Sequence, residues 1–274
     1  MLKTNIKLVI AGSVVEVYLY ERPVSYGVRL GVEERDKKPR ILREDDDALR
    51  RSALHSKKQV RRWIDANAWQ WLDQFGKPCF PKFATFTFKE NITDLPSANY
   101  FFGKFMKRFN YSLGFKESIL KYIVVHEPQK RGAIHYHCLF FNLPFIDDLP
   151  EKLSETWQYG FVRVKAVDRV KNLAAYITKY MTKDMQNFSW KGKRRYFVSK
   201  GLLKPFDVHA ETTAHNILRA LVKLPVIARG NWESEFAGKI EYMKIDLGRG
   251  NTIDDVPIDK DTKAILNAIK LSQQ

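Results

Sequence analysis

The sequence predicts an α+β fold, built on an antiparallel sheet of the ferredoxin-like, split βαβ type with helices on one face. The middle of the chain reads as strand, helix, strand, strand, helix, strand, which is the element order of that motif. The predicted strands are rich in β-branched and aromatic residues, whereas the predicted helices place apolar residues three and four positions apart. Among 274 residues, 45% are hydrophobic and 13% are aromatic, so the chain can form a substantial core.

Local patterns define the elements of this central region. Residues 83–88 alternate phenylalanine with small or hydroxyl residues, as a half-buried strand does. The helix at 95–113 carries aromatic side chains along one side. The other predicted elements are strands at 120–127, 134–141 and 161–164, a short helix at 148–158, and a last helix at 170–183.

We expect an appendage on each side of the central region. Residues 5–20 read as two β-branched strands joined by a turn at Gly12, and a basic helix follows at 48–75. The C-terminal part is predicted to contain helices at 209–224 and 261–271 and a strand at 240–247. The predicted domains are an N-terminal hairpin and basic helix (1–78), a central domain (79–205) and a C-terminal extension (206–274).

The charge of the chain indicates a polyanionic partner, most simply nucleic acid. The net charge is +16, and within residues 161–204 twelve Lys or Arg oppose only Asp168 and Asp184. The basic helix at 48–75 is consistent either with phosphate contacts or with a solvated surface face. The side chains that we expect to contact nucleic acid are Arg131, Lys191, Lys193, Arg194 and Arg195.

Cysteine usage and hydropathy restrict the class of protein further. The two cysteines, Cys79 and Cys138, show no Cys-x-x-Cys spacing, so neither a zinc ribbon nor a disulfide framework is indicated. This usage fits a reducing compartment. No apolar run approaches the length of a membrane span, and we expect a soluble protein without a membrane partner.

Two tyrosines stand four residues apart in a repeated Tyr-x-Thr-Lys unit that covers residues 176–183. On a helix this spacing puts Tyr176 and Tyr180 on the same face. Lys179 and Lys183 each follow a tyrosine by three positions, and an ammonium beside a phenol favours the nucleophilic phenolate. The pattern is typical of a pair of activatable nucleophiles, and also of an amphipathic helix with aromatic anchors.

Two histidines separated by one residue lie in the predicted strand 134–141. His135 and His137 would point to the same face, about 7 Å apart along the strand. A three-residue hairpin loop with Gly132 in the left-handed conformation would set Glu127 opposite His135 on that face. Two imidazoles and one carboxylate leave coordination positions open for water or substrate, and such a set suits manganese, zinc or iron. We predict a divalent metal site at these three residues.

The order of these motifs resembles the HUH endonuclease superfamily, in which a His-hydrophobe-His triplet binds a metal ion. It looks most like the rolling-circle replication initiators of small single-stranded DNA phages (microviruses and filamentous phages) and related plasmids. The paired tyrosines are similar to the two-tyrosine subclass, and residues 195–202 also resemble the phage replication proteins. The resemblance covers about residues 80–205, and its one departure is the aromatic Tyr136 in the middle of the triplet.

The resemblance implies an initiator that nicks single-stranded DNA at a replication origin. One tyrosine would form a 5′-phosphotyrosine and leave a free 3′-hydroxyl, and the second would later release a circle. Lys179, and after it Lys183, would stabilise the phenolate or the phosphate. Mg²⁺ or Mn²⁺ is the implied cofactor, and the bacterial host cytoplasm is the implied location. The expected partners are the origin strand, a host DNA polymerase and a host helicase, since the chain has no phosphate-binding loop of a motor.

Three other functions are compatible with parts of the sequence. Transposases of the HUH type usually carry one tyrosine, and relaxases usually carry a cluster of three histidines. A non-catalytic protein that binds single-stranded DNA would use aromatic residues to stack bases and basic residues to follow the phosphates. Cleavage of DNA that is lost in EDTA separates the enzyme from this binding protein.

Overall fold

The structure is a computed structural model, and it describes residues 2–26, 46–115, 119–129, 131–170, 172–181 and 194–273. The chain divides into two compact units. The flanking unit contains Met1–Arg43 and Leu203–Gln274, and the central unit contains Glu44–Leu202. Within the described residues each unit has one five-stranded sheet, and every strand pair is antiparallel. The predicted α+β class is confirmed.

The described residues form ten strands and six α-helices. In chain order they are β1 (Leu2–Ala11), β2 (Val14–Tyr26), α1 (Asp46–Asn67), β3 (Lys82–Phe88), α2 (Leu95–Ser112), β4 (Tyr122–Pro128), β5 (Ile134–Phe140), α3 (Leu149–Trp157), β6 (Gly160–Ala166), α4 (Leu173–Thr178), β7 (Tyr196–Val198), β8 (Phe206–Val208), α5 (Glu211–Leu221), β9 (Val226–Ser234), β10 (Gly238–Asp246) and α6 (Lys260–Ser272).

The sheet of the central unit has the strand order β6-β3-β5-β4-β7. Its first four strands have the order of a split βαβ motif, because β3 and β4 are separated by the later strand β5. Helix α2 joins β3 to β4, and helix α3 joins β5 to β6. The predicted element order is therefore the observed one. Strand β7 is an addition at the edge of β4, and it is too short to show a strand pattern in the sequence.

The two faces of this sheet pack against different helices. On one face, α2 and α3 enclose an aromatic core that includes Phe86, Phe105 and Trp157. On the other face, α1 and α4 pack against strand residues such as Phe83 and Leu139. The first face is the covered face predicted for the motif. The second face carries the histidine pair, and we call it the site face.

The observed units group the predicted segments differently. Helix α1 belongs to the central unit, because its apolar residues Val60 and Ile64 are fully buried against the site face. The N-terminal hairpin and the C-terminal extension share the second sheet, in which β2 pairs with β10 and β1 pairs with β8. Pairing between strands some two hundred residues apart leaves no mark in the local sequence, so the predicted boundaries could not contain it.

The flanking sheet has the order β8-β1-β2-β10-β9. Gly12, at φ 55°, makes the tight turn of the predicted hairpin β1-β2. Helices α5 and α6 cover one face of this sheet with apolar residues that include Ile217 and Leu266. None of the helices among the described residues is both long and apolar enough to cross a membrane.

We predict that the folded chain loses stability between about pH 6.5 and pH 4 because of His126. Burial lowers the pKa of His126 to about 4 from 6.5, against a backbone hydrogen bond with Arg194 that raises it. The unfolded chain takes up this proton near its ordinary pKa, whereas the folded chain resists it until the lower pKa is reached. The free energy of unfolding therefore falls by up to roughly 3 kcal/mol as the pH drops through this window.

Urea unfolding at pH 7.5 and pH 4.5 measures this loss, with His126→Leu as the comparison. The variant should lose less stability on acidification than the wild type. His135, whose pKa is also lowered to about 4, acts in the same direction and leaves a residual dependence. Equal pH dependence in the two proteins would contradict the assignment to His126.

Candidate active site

The strand register brings the predicted metal ligands to the site face. Glu127 pairs with His135 across β4 and β5, as the sequence predicts, and Gly132 takes φ 86° in the hairpin loop. His137 lies one step further along β5, on the same face. His126 pairs with Tyr136 and packs on the opposite, aromatic face. The hairpin thus separates one core histidine from two histidines of the site.

His137 is held on both sides of its ring. Its Nε2 lies 2.5 Å from Oε2 of Glu127, and its Nδ1 lies 3.1 Å from Oγ1 of Thr85 on β3. An ionised carboxylate only accepts, so Nε2 carries the proton in this contact. In the neutral ring Nδ1 then accepts from the hydroxyl of Thr85. Only 4% of His137 is exposed, and its orientation is therefore fixed by β3 and β4 together.

His135 is half-buried, and it differs from His137 in its partners. Within the described part of the chain, its Nε2 atom is buried without a hydrogen-bond partner. Burial lowers the pKa of His135 to about 4, and the neighbouring His137 adds to the effect. The ring is therefore neutral at physiological pH, and a neutral imidazole is the form that binds a metal ion.

The donor set fits a divalent metal, but it is not assembled around one. Among the described residues, no group of three or more His, Cys, Asp or Glu side chains is arranged so that it can hold a metal ion. Instead, Glu127 and His137 bond to each other, and a metal would have to replace the proton between them. The buried, unsatisfied Nε2 of His135 and the shared face favour such a site. The metal assignment of these three residues stays a prediction.

The tyrosine pair lies directly over this face. Its helix is shorter than predicted: α4 ends at Thr178, and a 3₁₀ turn follows at Lys179–Met181. The ring of Tyr180 stacks on His137 with centroids 4.0 Å apart and planes at 19°. The rings of Tyr176 and Tyr180 meet at 87° with centroids 6.2 Å apart. The predicted nucleophiles and the predicted metal ligands are therefore in direct contact.

The electrostatics of Tyr180 differ from the expectation that a lysine favours its phenolate. Burial and a hydrogen bond with Tyr176 raise the pKa of Tyr180 well above 10, and the charge of Glu127 adds to this. Lys179 places its ammonium over the two rings, 4.1 Å from the Tyr176 centroid and 4.9 Å from the Tyr180 centroid. The cation that lowers the pKa of Tyr180 is Arg163 on β6. Lys183 lies outside the described residues.

Helix α1 holds the tyrosine helix in place, which the sequence did not indicate. The guanidinium of Arg61 donates from Nε to Oγ1 of Thr178, at 3.1 Å. Thr178 is fully buried, and its hydroxyl donates to the carbonyl oxygen of Ala174 at 2.8 Å. Asn172 caps the start of α4 by accepting from the backbone of Ala175. The six residues of α4 are thus fixed at both ends.

The predicted DNA-binding cations are only partly within the structure. Arg131 is exposed and bonds to its own surroundings, with one guanidinium nitrogen donating to the carbonyl oxygen of Phe88 at 3.0 Å. Arg194 is exposed before β7, and the backbone oxygen of Arg195 accepts from His126. Lys191 and Lys193 lie outside the described residues. The structure adds Thr85 and Arg163 to the site, and only their register beside His137 identifies them.

One family model matches the chain over residues 81–185, and it describes replication-associated proteins of the ORF2 type. The matched stretch includes the β4-β5 hairpin, the histidine pair and both tyrosines. The match supports a rolling-circle replication initiator as the class of protein. No curated protein and no solved structure matches the chain.

We predict that Thr178→Val loosens the contact between α1 and α4. The substitution keeps the volume of the side chain but removes the acceptor of Arg61, and the expected loss is about 1 kcal/mol in the free energy of unfolding. Thr178→Ser keeps the hydroxyl and should retain the hydrogen bond. Urea unfolding of both variants measures the difference. A valine variant as stable as the serine variant would contradict this role of the hydroxyl.

Proposed function

We propose that the chain nicks and rejoins single-stranded DNA at a replication origin, with Tyr176 and Tyr180 as the nucleophiles. The observation that carries the proposal is the stack of Tyr180 on His137, which brings a phenol onto the face that holds Glu127 and both site histidines. The family match supports the class of function, and the chemistry is our inference. The two-tyrosine subclass of HUH endonucleases is the closest analogy.

The charge of the central unit suits the substrate. Residues 44–202 contain 28 Lys or Arg and 16 Asp or Glu, so +12 of the net +16 belongs to this unit. A polyanionic strand is attracted to such a surface, and the attraction weakens as salt increases. Arg163 lies on the site face in the row of Thr85 and His137 and is a candidate for contact with the substrate.

In the proposed reaction a phenol oxygen attacks the scissile phosphorus in line. The new bond joins tyrosine to the 5′ side of the break, the bond to the 3′ oxygen breaks, and the phenol proton ends on that oxygen. The phosphodiester energy is kept in the phosphotyrosine, so the strand is rejoined without ATP. When bound at Glu127, His135 and His137, Mg²⁺ or Mn²⁺ polarises the phosphate and offsets its developing charge.

The residues around the phenols set the conditions of this step. The raised pKa of Tyr180 means that the phenol keeps its proton in the resting site. Added positive charge beside the phenol would lower this pKa, so the ionisation would accompany substrate and metal binding. Lys179 covers the rings of both tyrosines and restrains their motion. The 3′-hydroxyl would prime a host polymerase, with a host helicase to unwind the duplex, in the cytoplasm of a bacterial host.

The arrangement of histidines distinguishes this proposal from a relaxase. A relaxase would place three histidines together, but His126 faces the aromatic core and is separated from the other two by the sheet. A transposase with one tyrosine would leave the second phenol of the pair without a role. An alternating mechanism uses both phenols, which touch the same side of the sheet.

We predict that both tyrosines must be removed to abolish the covalent adduct. Single strands tiled across the replicon that encodes the protein are labelled at the 3′ end, because the 5′-phosphotyrosine keeps the 3′ portion. Tyr176→Phe and Tyr180→Phe should each retain an adduct through the remaining phenol, and the double variant should form none. Denaturing gels show the adduct as labelled protein.

Tyr111→Phe is the matched control, since Tyr111 is 83% exposed on α2, outside the site face. The control should form adducts as the wild type does. Labelled protein in the double variant would refute the assignment of the nucleophiles. Binding of the strands without cleavage by the wild type, with and without EDTA, would support the non-catalytic alternative instead.

We predict that Thr85→Val weakens metal binding by roughly tenfold or more, because it removes the partner that orients His137. Thr85→Ser keeps the hydroxyl and should bind Mn²⁺ as the wild type does. Isothermal titration with Mn²⁺ measures the affinity, and His135→Ala should abolish it. Unchanged Mn²⁺ affinity in His135→Ala would remove this residue from the ligand set.

A further inference from the structure

The edge strand β6 presents an aromatic ring and two cations to the site face. Phe161, Arg163 and Lys165 alternate along this strand, and the intervening Val162 and Val164 pack into the aromatic core on the other face. Phe161 is 67% exposed, although it lies in a strand. We call Phe161, Arg163 and Lys165 the β6 strip.

The β6 strip continues the rows of the site. Phe161 pairs with Thr87, which pairs with His135, so the three lie in one row across the sheet. Arg163, Thr85 and His137 form the next row. Two strand spacings separate each of these two strip residues from the histidine of its row, which is about 10 Å. The strip is therefore within about one nucleotide's reach of the tyrosine pair.

Backbone packing fixes the start of the strip. A Cβ atom at Gly160 would lie 2.2 Å from the carbonyl oxygen of Thr87 and 2.5 Å from the backbone nitrogen of Lys89. Only glycine allows β6 to approach β3 so closely at this point. The backbone of Lys89 also donates to the carbonyl oxygen of Tyr159, at 2.8 Å. Phe161 is consequently held at a defined place although its ring is exposed.

Core packing does not account for the composition of the strip. In the described part of the chain, Phe161 has no aromatic neighbour in ring contact, whereas most phenylalanines of the central unit stack in the core. Strand β6 contains no acidic residue. Arg163 is exposed, and its charge acts on Tyr180 across the site. A ligand with flat rings and negative charges would match such a surface.

We propose that the β6 strip binds the single-stranded DNA that flanks the scissile phosphate, with Phe161 stacking on a base and Arg163 and Lys165 holding phosphates. The inference rests on the proposed function and specifies where its substrate lies. Alternate residues of a strand are spaced about 7 Å apart, so ring and cations can engage successive parts of an extended strand. Stacking tolerates any base, because every base has a flat π face. The strip thus positions DNA without reading its sequence.

Fluorescence anisotropy of the full chain with a labelled single-stranded DNA of mixed sequence tests the stacking residue. Phe161→Ala should raise the Kd by about tenfold or more, the range expected for loss of one base–aromatic stack. Phe161→Trp should restore tight binding. Phe145→Ala is the matched control, because Phe145 is 83% exposed in the same unit but lies outside β6, and its Kd should equal that of the wild type.

Salt dependence tests the cations of the strip. Arg163→Ala should reduce the slope of log K against log salt by about 0.7, the value for one phosphate contact with a single strand. Lys107→Ala removes an exposed cation from α2, on the opposite face, and should leave the slope unchanged. Phe161→Ala should also leave the slope unchanged. Thermal unfolding verifies that each variant is folded.

The outcomes separate the strip from the proposed function. If Phe161→Ala and Arg163→Ala bind DNA as their controls do, while the wild type forms covalent adducts that need the tyrosines, the strip is refuted and the nuclease stands. If both variants weaken binding but the double tyrosine variant still forms adducts, the strip stands and the catalytic assignment is refuted. A loss of affinity equal in Phe161→Ala and Phe161→Trp would also overturn the stacking role.

Discussion

The register of the β4-β5 hairpin is the constraint on which the site depends. A slip of one residue would turn His135 and His137 to the aromatic face and bring His126 to the site face, because strand side chains alternate. Gly132 in the left-handed conformation sets the loop, and the pairing of Glu127 with His135 follows. The bond between Glu127 and His137 then closes the site from the side of β4. Both the proposed metal ligands and the stack of Tyr180 rest on this alignment.

The tyrosine helix contributes little stability of its own. A helix of six residues is far below the length at which an isolated helix is stable in water, so tertiary contacts must hold α4. Its buried residues pack on the site face, Arg61 of α1 bonds to Thr178, and Tyr180 stacks on His137. Helix α1 is therefore a structural part of the central unit. The basic residues of α1 are still compatible with contact to DNA, and its apolar face explains why the unit includes it.

Local patterns predicted most of the central elements. The alternation in 83–88, the aromatic side of α2 and the Gly132 hairpin each act over a few residues, and the structure has β3, α2 and the paired β4 and β5 at those places. The pairing of β1 with β8 and the packing of α1 depend on residues far away in the chain, which no local pattern contains. Within the site, Thr85 and Arg163 were missed for the same reason. The environment of Tyr180 is likewise tertiary, since its burial outweighs the nearby cations.

The central claim is that the chain joins itself to DNA through the tyrosine pair. Mass spectrometry of the protease-digested covalent complex tests it most directly, by mapping the residue that carries the nucleotide. The account predicts a phosphotyrosine linkage at Tyr176 or Tyr180, with the linkage moving to the other tyrosine when one is replaced by phenylalanine. A linkage at any other residue, or cleaved DNA with no linked peptide, would contradict it.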